Sequence, residues 1–387
     1  MKFIHLSDLH IGKKLNGFSL LEDQEYILKE ILEGIRREKP QAVLISGDVY
    51  DKSTPSYEAV RLLDRFLDAL DIDGLSVFVI SGNHDSPDRL SFGSGRMKKS
   101  GLFIKGGFDG ELSPVVLEDE YGPVNFYLLP FIRIADVNYV YGTDIKDYTE
   151  AFQLVIEKMQ LDPSQRNVLL SHQYVAGAVL SESESTVGSL DSIAAEVYQP
   201  FDYTALGHIH RPQFVIGDRL CYCGTPLKYS YSEIGYEKSY TIVTLGRKTS
   251  SDHLCDITTE MVPLIPKRDI REIKASFDDF IAAERDDNGI VTNDYIYAVL
   301  TDEFDIPDAI GHLRKLYPNI LNVKRESANY DTYDSVILGS AGIDRDPFEL
   351  FSEFYAVQHD GNEPDEKSAE ILNKAIAEIW GDENETD

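Results

Sequence analysis

The sequence predicts an α/β fold built on a parallel sheet, with a second sheet packed against it and a small α+β domain after residue 265. Two observations carry that expectation. Short apolar runs of β-rich composition alternate with amphipathic helical stretches over residues 2–80, and the order strand, helix, strand, helix, strand favours a parallel sheet. Each of those runs, and two later ones, ends in a loop that carries Asp, Asn or His. Loops at the carboxyl ends of strands are where α/β sheets bind ligands.

The elements follow in order. Residues 2–6 form the first strand, and the turn beyond it holds Asp8 and His10. A carboxylate oxygen and an imidazole nitrogen so close together suit a divalent metal such as manganese, iron or zinc. Residues 23–39 read as a helix, because Tyr26, Ile27, Ile31, Leu32 and Ile35 recur at helical spacing and Pro40 ends the segment. The continuous apolar run 41–46 suits a strand buried on both faces and ends in Gly47-Asp48-Val49-Tyr50-Asp51. A second helix over 56–70 puts Val60, Leu63, Phe66, Leu67 and Leu70 on one face. The strand 76–80 ends in Ser81-Gly82-Asn83-His84-Asp85.

Three short strands at 103–104, 115–117 and 124–129 are expected in the second sheet. A helix over 150–159 precedes a strand at 167–170, which ends in Ser171-His172-Gln173. Residues 177–192, rich in Gly, Ser and Glu, read as a surface loop. The strand 201–206 leads to Gly207-His208-Ile209-His210, and 222–226 and 240–245 complete a first domain over 1–265. Pro263 and Pro266 flank its boundary. Strands at 271–275, 298–300 and 321–324 with helices at 277–284 and 306–316 give a small α+β domain over 266–343. The tail, 344–387, holds fourteen acidic and three basic residues. Its stretch 368–380 places Ile371, Leu372, Ala375, Ile376, Ile379 and Trp380 on one helical face, which suits a partner-binding segment.

Composition narrows the function. A chain of 387 residues holds two or three domains. No run reaches the eighteen apolar residues of a membrane span, and the start lacks a secretory signal. Cys221, Cys223 and Cys255 make no disulfide framework and read as reduced thiols, so a cytoplasmic location is expected. The net charge of −30 rules out polyanion binding by the average field of the chain. A phosphate substrate must be held by metals, by a few basic side chains or by a partner.

Five of the nine histidines fall in the strand-end loops, beside Asp8, Asp48 and Asn83. Two divalent ions about 3.5–4 Å apart can clamp a phosphoryl group and activate water. A carboxylate is the natural bridge between them, and Asp48 is the central candidate. Imidazoles fill terminal positions, and the Asn83 carbonyl adds a ligand without charge. His84 is then left to assist the leaving group, with Asp85 placed to orient it.

Asp8-x-His10, Gly47-Asp48, Gly82-Asn83-His84-Asp85, His172 and Gly207-His208-x-His210 together resemble the calcineurin-like metallophosphoesterase superfamily. That resemblance implies a four-layered α/β/β/α sandwich. It also implies one metal on Asp8, His10, Asp48 and His210 and a second on Asp48, Asn83, His172 and His208. The longer segments 4–12, 46–51, 81–86, 171–173, 205–213, 222–226 and 231–238 are similar to the SbcD family of nucleases. That family implies Mn2+ as the usual metal and a coiled-coil ATPase, SbcC, as partner. It implies exonuclease action on DNA ends, endonuclease action on single strands and hairpins, and a homodimer involving Leu62, Leu63, Phe66, Leu90 and Phe92. Core packing is the favoured role for most of those five. Arg89, Arg96, Lys98 and Lys99 form a basic cluster that could meet a DNA backbone or simply face solvent. Tyr50 and Asp51 could position substrate, or Asp51 could cap a helix. A phosphoesterase acting on a small molecule or a protein, and a non-catalytic scaffold, stay open as alternatives. The complete ligand set argues against the scaffold.

Overall fold

The computed structural model describes residues 1–181, 192–250, 254–326, 348, 352, 364 and 366–380. Its first sheet has six strands in the order Ile257–Pro263, Ser239–Leu245, Lys2–Leu6, Ala42–Ser46, Ser76–Ile80, Leu102–Lys105. The last four run parallel, and the first two are antiparallel additions. The second sheet orders Gln213–Ile216, Leu220–Tyr222, Tyr203–Gly207, Arg166–His172, Gly122–Leu128, Val115–Asp119. Here too four central strands are parallel, with an antiparallel strand at each edge.

Alternation along single strands explains the layers. In Ala42–Ser46, Val43 and Ile45 face the outer core with the helices Leu21–Glu38 and Tyr57–Ala69. Ala42 and Leu44 face the other way, into the core between the sheets. That inner core joins Phe3 and Phe78 of the first sheet to Phe126, Val168 and Tyr203 of the second. Phe126 stacks on Phe78 with ring centroids 4.6 Å apart and meets Phe3 edge-on at 5.9 Å. A third core packs the helices Ile134–Tyr141 and Tyr148–Met159 on the outer face of the second sheet. The result is the expected α/β/β/α sandwich.

Helix ends are fixed locally. The Ser56 hydroxyl accepts from Ala59 N, and the Asp147 carboxylate accepts from Glu150 N. Lys39 closes the first helix in a left-handed conformation just before Pro40.

The structure differs from the sequence-based expectation in four places. Leu102–Lys105 pairs in parallel with Ser76–Ile80 and so belongs to the first sheet, not the second. The short helices Pro87–Leu90 and Ser94–Met97 supply the crossover, and four-residue helices leave no periodic pattern to read. The strand Arg166–His172 begins on a buried charge and includes His172 itself. Arg166 is tolerated there because its guanidinium donates to Asp119 at 3.0 Å and to the Gly246 carbonyl at 3.2 Å. The helix Ile134–Tyr141 has no counterpart in the sequence-based expectation, and the one expected over 306–316 is confined to Ala309–Leu313.

The α+β segment comprises the strands Ile270–Ala275, Tyr295–Leu300 and Ile320–Arg325 with two short helices. By contact the chain divides into two units. One takes residues 1–273, 283–298 and 310–322, and the other 274–282, 299–309 and 323–387. In the first, Arg268 and the Tyr295 hydroxyl both donate to Asp23. The second contains the helix Glu366–Trp380, on which Ile371 is 64% exposed. Most of the acidic lead-in to that helix, 327–343 of the expected small domain, and 182–191 of the expected surface loop lie outside the described residues. No helix among the described residues is long and apolar enough to cross a membrane.

The inner core sets a stability test. Phe126→Ala should cost about 3–5 kcal/mol in chemical denaturation, because it empties a ring site between two sheets. A loss under about 1 kcal/mol would mean that the sheets do not depend on this contact.

Candidate metal centre

The carboxyl ends of five parallel strands, three from the first sheet and two from the second, deliver the chemistry to one place. Asp8 N donates to the Gly47 carbonyl at 3.1 Å and His10 N to the Asp48 carbonyl at 2.9 Å, which ties the first two loops together. Asp8, His10, Asp48 and His208 all have positive φ, at 51°, 44°, 46° and 100°. For residues with side chains this backbone is strained by of order 1–3 kcal/mol each, and it persists where surrounding structure imposes it. Two glycines show how closely the loops approach. A Cβ on Gly82 would lie 2.1 Å from Asp48 Oδ1, and one on Gly207 would lie 1.9 Å from the Ser46 carbonyl. Those contacts explain the glycine before Asn83 and the glycine before His208.

The acidic and imidazole side chains converge. Asp8, His10 and His210 form one group, His10, Asp48 and His84 a second, and Asp8, Asp48 and His172 a third, each with ligand atoms within 4.8 Å of one another. Asp48 Oδ2 lies 3.4 Å from His172 Nε2 and 3.6 Å from His10 Nε2. The Asn83 carbonyl oxygen is 3.1 Å from His172 Nε2 and 3.0 Å from His208 Nδ1. All seven residues expected as ligands thus come together, with His84 beside them.

Several side chains are held from behind. His172 Nδ1 donates to the Ser46 carbonyl at 2.8 Å, leaving Nε2 toward Asp48. His84 Nδ1 donates to the Asp51 carbonyl at 2.9 Å, and the His84 side chain is 42% exposed. The Asp8 carboxylate accepts from His208 N at 2.9 Å, and Asp48 Oδ1 accepts from His84 N at 2.9 Å. Gln24 Nε2 donates to the carbonyls of Leu9 and His10, and its own carbonyl accepts from Gly12 N.

Asp85 does something other than orient His84. Its carboxylate accepts from Val49 N at 3.0 Å, Tyr50 N at 2.9 Å and Gly82 N at 2.9 Å, so it clamps the Asp48 loop to the Asn83 loop. Sequence spacing shows its neighbour but not its direction. Asp51 does not cap the second helix, a role taken by Ser56; it pairs with Lys13 at 2.9 Å. Leu62, Leu63, Phe66 and Leu90 are buried in the core, whereas Phe92 is 83% exposed. Glu233 and Lys238, beneath His210, belong to the 231–238 segment of the resemblance, but nothing in the sequence ties them to His210.

The electrostatics follow from burial. Desolvation, with Asp48 adding to it, raises the Asp8 carboxyl to about 6. Burial also works against ionisation of Asp48, but the charge and hydrogen bond of His172 override it and hold that carboxyl well below its usual range. His172 is the counterpart. Burial lowers it, the charge and hydrogen bond of Asp48 together with Asp8 raise it further, and it ends at about 9. Desolvation lowers His10 well below its usual value, and desolvation with the charge of His172 lowers His208 to about 3.

These residues fit a metal pair. Both ring nitrogens of His10 are buried without a hydrogen-bond partner among the described residues, a costly condition that a cation on one of them would relieve. Carboxylate oxygen, amide oxygen and imidazole nitrogen are donors for hard and borderline divalent ions.

Comparison with known proteins agrees with this geometry. Residues 1–212 match the family model described as calcineurin-like phosphoesterase, and 266–359 match that of the type 5 capsule protein repressor C-terminal domain. A curated protein of Staphylococcus saprophyticus, named as the D subunit of the nuclease SbcCD, is 32% identical over 338 residues, covering 86% of each chain. The chain belongs to the SbcD family of calcineurin-like phosphoesterases. As an SbcD-family member it is a metal-dependent phosphoesterase. A dimetal phosphatase from Danio rerio is also similar in structure, with TM-score 0.39 and 13% identity over 63% of this chain and 92% of that one.

One pH dependence follows for this SbcD-family centre. In the metal-free chain His172 keeps its proton up to about pH 9, and that extra proton affinity stabilises the fold fully below about 6.5 and is lost as pH rises through 9. A metal on its Nε2 must displace that proton. Mn2+ affinity should therefore rise from pH 7 to pH 9. Calorimetry in buffers of different ionisation enthalpy should record about one proton released per chain near neutrality. Affinity independent of pH with no proton release would contradict this assignment.

Proposed function

We propose that this chain is the DNA-cutting component of an SbcCD-type complex, a two-metal phosphodiesterase acting in DNA repair, recombination and replication. The observation that carries the reading is Asp48. It lies between an Asp8–His10–His210 group and an Asn83–His172–His208 group, with a carboxylate whose Oδ2 is within reach of His10 on one side and His172 on the other while Oδ1 accepts from His84 N. Asp8, His10, Asp48 and His210 would hold one ion and Asp48, Asn83, His172 and His208 the other, with Mn2+ the expected metal. Divalent cations held there supply the positive charge that a phosphodiester anion needs during displacement and make water acidic enough to attack it.

The remaining chemistry belongs to the chain. His84 donates its Nδ1 proton to the Asp51 carbonyl, so Nε2 is the atom that faces the site and can carry a proton to the leaving oxygen. Its exposure leaves it at the substrate side of the ligand cluster. Asp85 keeps the Asp48 and Asn83 loops in register, as a positioning residue. The partner is a coiled-coil ATPase of the SbcC type, which supports the reading in a chain of net charge −30 by supplying the groove for DNA. Arg89, Arg96, Lys98 and Lys99 are exposed and stand ready for backbone contacts. Phe92, Tyr57 and Val60 are exposed apolar side chains that suit contact with a second copy of the chain. Residues 266–343 form a DNA-capping domain, the tail 344–387 the SbcC-binding segment, and the location is the cytoplasm, on the nucleoid.

Two experiments test the reading. The purified chain with Mn2+, alone and with its ATPase partner and ATP, should cut linear duplex ends, hairpins and single strands. Cleavage of a simple aryl phosphodiester alone, under all those conditions, would replace the nuclease reading with a small-molecule phosphoesterase. His84→Ala should keep both metals by calorimetry and lower turnover by a factor on the order of 10²–10⁴. Loss of a metal would instead make His84 a ligand, as its grouping with His10 and Asp48 allows.

A further inference from the structure

A buried ion pair lies under His210, and metal ligation alone does not account for it. The Glu233 side chain is fully buried and that of Lys238 is 4% exposed, with the two charges 2.5 Å apart. Removing both from water costs about as much as their attraction returns, and an apolar pair of similar volume would stabilise the fold as well. Their value lies in what else they hold. Glu233 Oε1 lies 3.1 Å from His210 Nδ1 and also accepts from the Ser230 hydroxyl at 3.0 Å. Its Oε2 accepts from Lys238 Nζ and, at 3.2 Å, from the Thr225 hydroxyl. Lys238 Nζ donates at 2.9 Å to the carbonyl of His210 itself, which also accepts from Thr225 N at 3.2 Å. The carboxylate therefore grips the ring of His210, and the ammonium grips its main chain.

The contrast with the other imidazoles is informative. His172 and His84 rest their Nδ1 atoms on backbone carbonyls. His210 rests on an ionised carboxylate, which fixes the tautomer more firmly and makes the opposite nitrogen a stronger donor to a cation. Asp8 and His10 share a group of ligand atoms with that ring, and the His10 and His210 ring centroids are 5.1 Å apart.

We propose that Glu233 is a positioning residue for His210, holding its proton on Nδ1 so that Nε2 is presented to a divalent ion beside Asp8 and His10. Lys238 keeps Glu233 ionised and fixed in place. This inference rests on His210 being a ligand, as proposed above, and the test separates the two.

The probe is Mn2+ binding to the full-length chain by calorimetry, with His210 followed by 15N NMR in the metal-free protein. In the wild type, His210 should be protonated at Nδ1 with Nε2 bare; the opposite tautomer would overturn the proposal without any variant. The double variant Glu233→Gln with Lys238→Met removes both buried charges, so it does not leave an unpaired ammonium. It should retain the thermal midpoint of the metal-free chain, bind one Mn2+ as the wild type does and bind the other about 10–100-fold more weakly. Its His210 should populate both tautomers. Two Mn2+ bound with wild-type affinity and an unchanged tautomer would mean that Glu233 serves only the local fold. His210→Ala distinguishes the failures. If it binds both ions normally, the ligand reading falls and this inference with it. If it loses one ion while the double variant loses none, the inference alone falls.

Discussion

Two carboxylates held out of water at the meeting point of two sheets set the terms for this structure. Asp8 is 0% exposed and Asp48 is 2% exposed, and each raises the energy of ionising the other. Burying such a pair is tolerable only when positive charge or aligned donors answer it. The chain answers from its own loops: His208 N donates to Asp8, His84 N donates to Asp48, and the His172 imidazole faces Asp48 with its charge felt by both. A proton on His172 supplies the charge in the metal-free chain, and divalent cations supply more of it than one proton can. The same electrostatic demand accounts for the strained backbone at Asp8, His10, Asp48 and His208, because each must turn its side chain into one small volume.

The fold meets that demand by duplication of geometry. Each sheet has a parallel quartet with antiparallel strands added, and the two quartets present their carboxyl ends to the same site. The first sheet contributes the carboxylates, the amide and two of the imidazoles, and the second contributes three imidazoles. Aromatic packing between Phe3, Phe78 and Phe126 fixes the separation of the sheets, and so fixes the reach of His172 and His208 toward Asp48. Asp85 locks the loops of the first sheet, and Glu233 with Lys238 braces His210 from the second. Core, loop clamps and ligands form one chain of support.

Much of this was legible in the sequence because it is written in local pattern. Runs such as Ala42–Ser46 and Ser76–Ile80 announce buried strands, and the residues directly after them announce the site. Gly82 and Gly207 were readable as parts of motifs, and close backbone approach gives the reason for them. What stayed hidden depends on direction and on distant partners. Asp85 is adjacent to His84 in sequence, yet its oxygens point to the backbone of another loop. Glu233 lies more than twenty residues from His210, and only folding brings the two into hydrogen-bond contact. Leu102–Lys105 has too short an apolar run to reveal which sheet it joins, and the crossover before it has no period.

The most direct measurement of the central claim is anomalous X-ray diffraction from crystals of the full chain loaded with Mn2+. Two anomalous peaks about 3.5–4 Å apart are expected, with the Asp48 carboxylate shared between them. Asp8, His10 and His210 should surround one peak and Asn83, His172 and His208 the other. A single peak, or two peaks with Asp48 bound to only one of them, would contradict the account of Asp48 as the bridge on which the site is built.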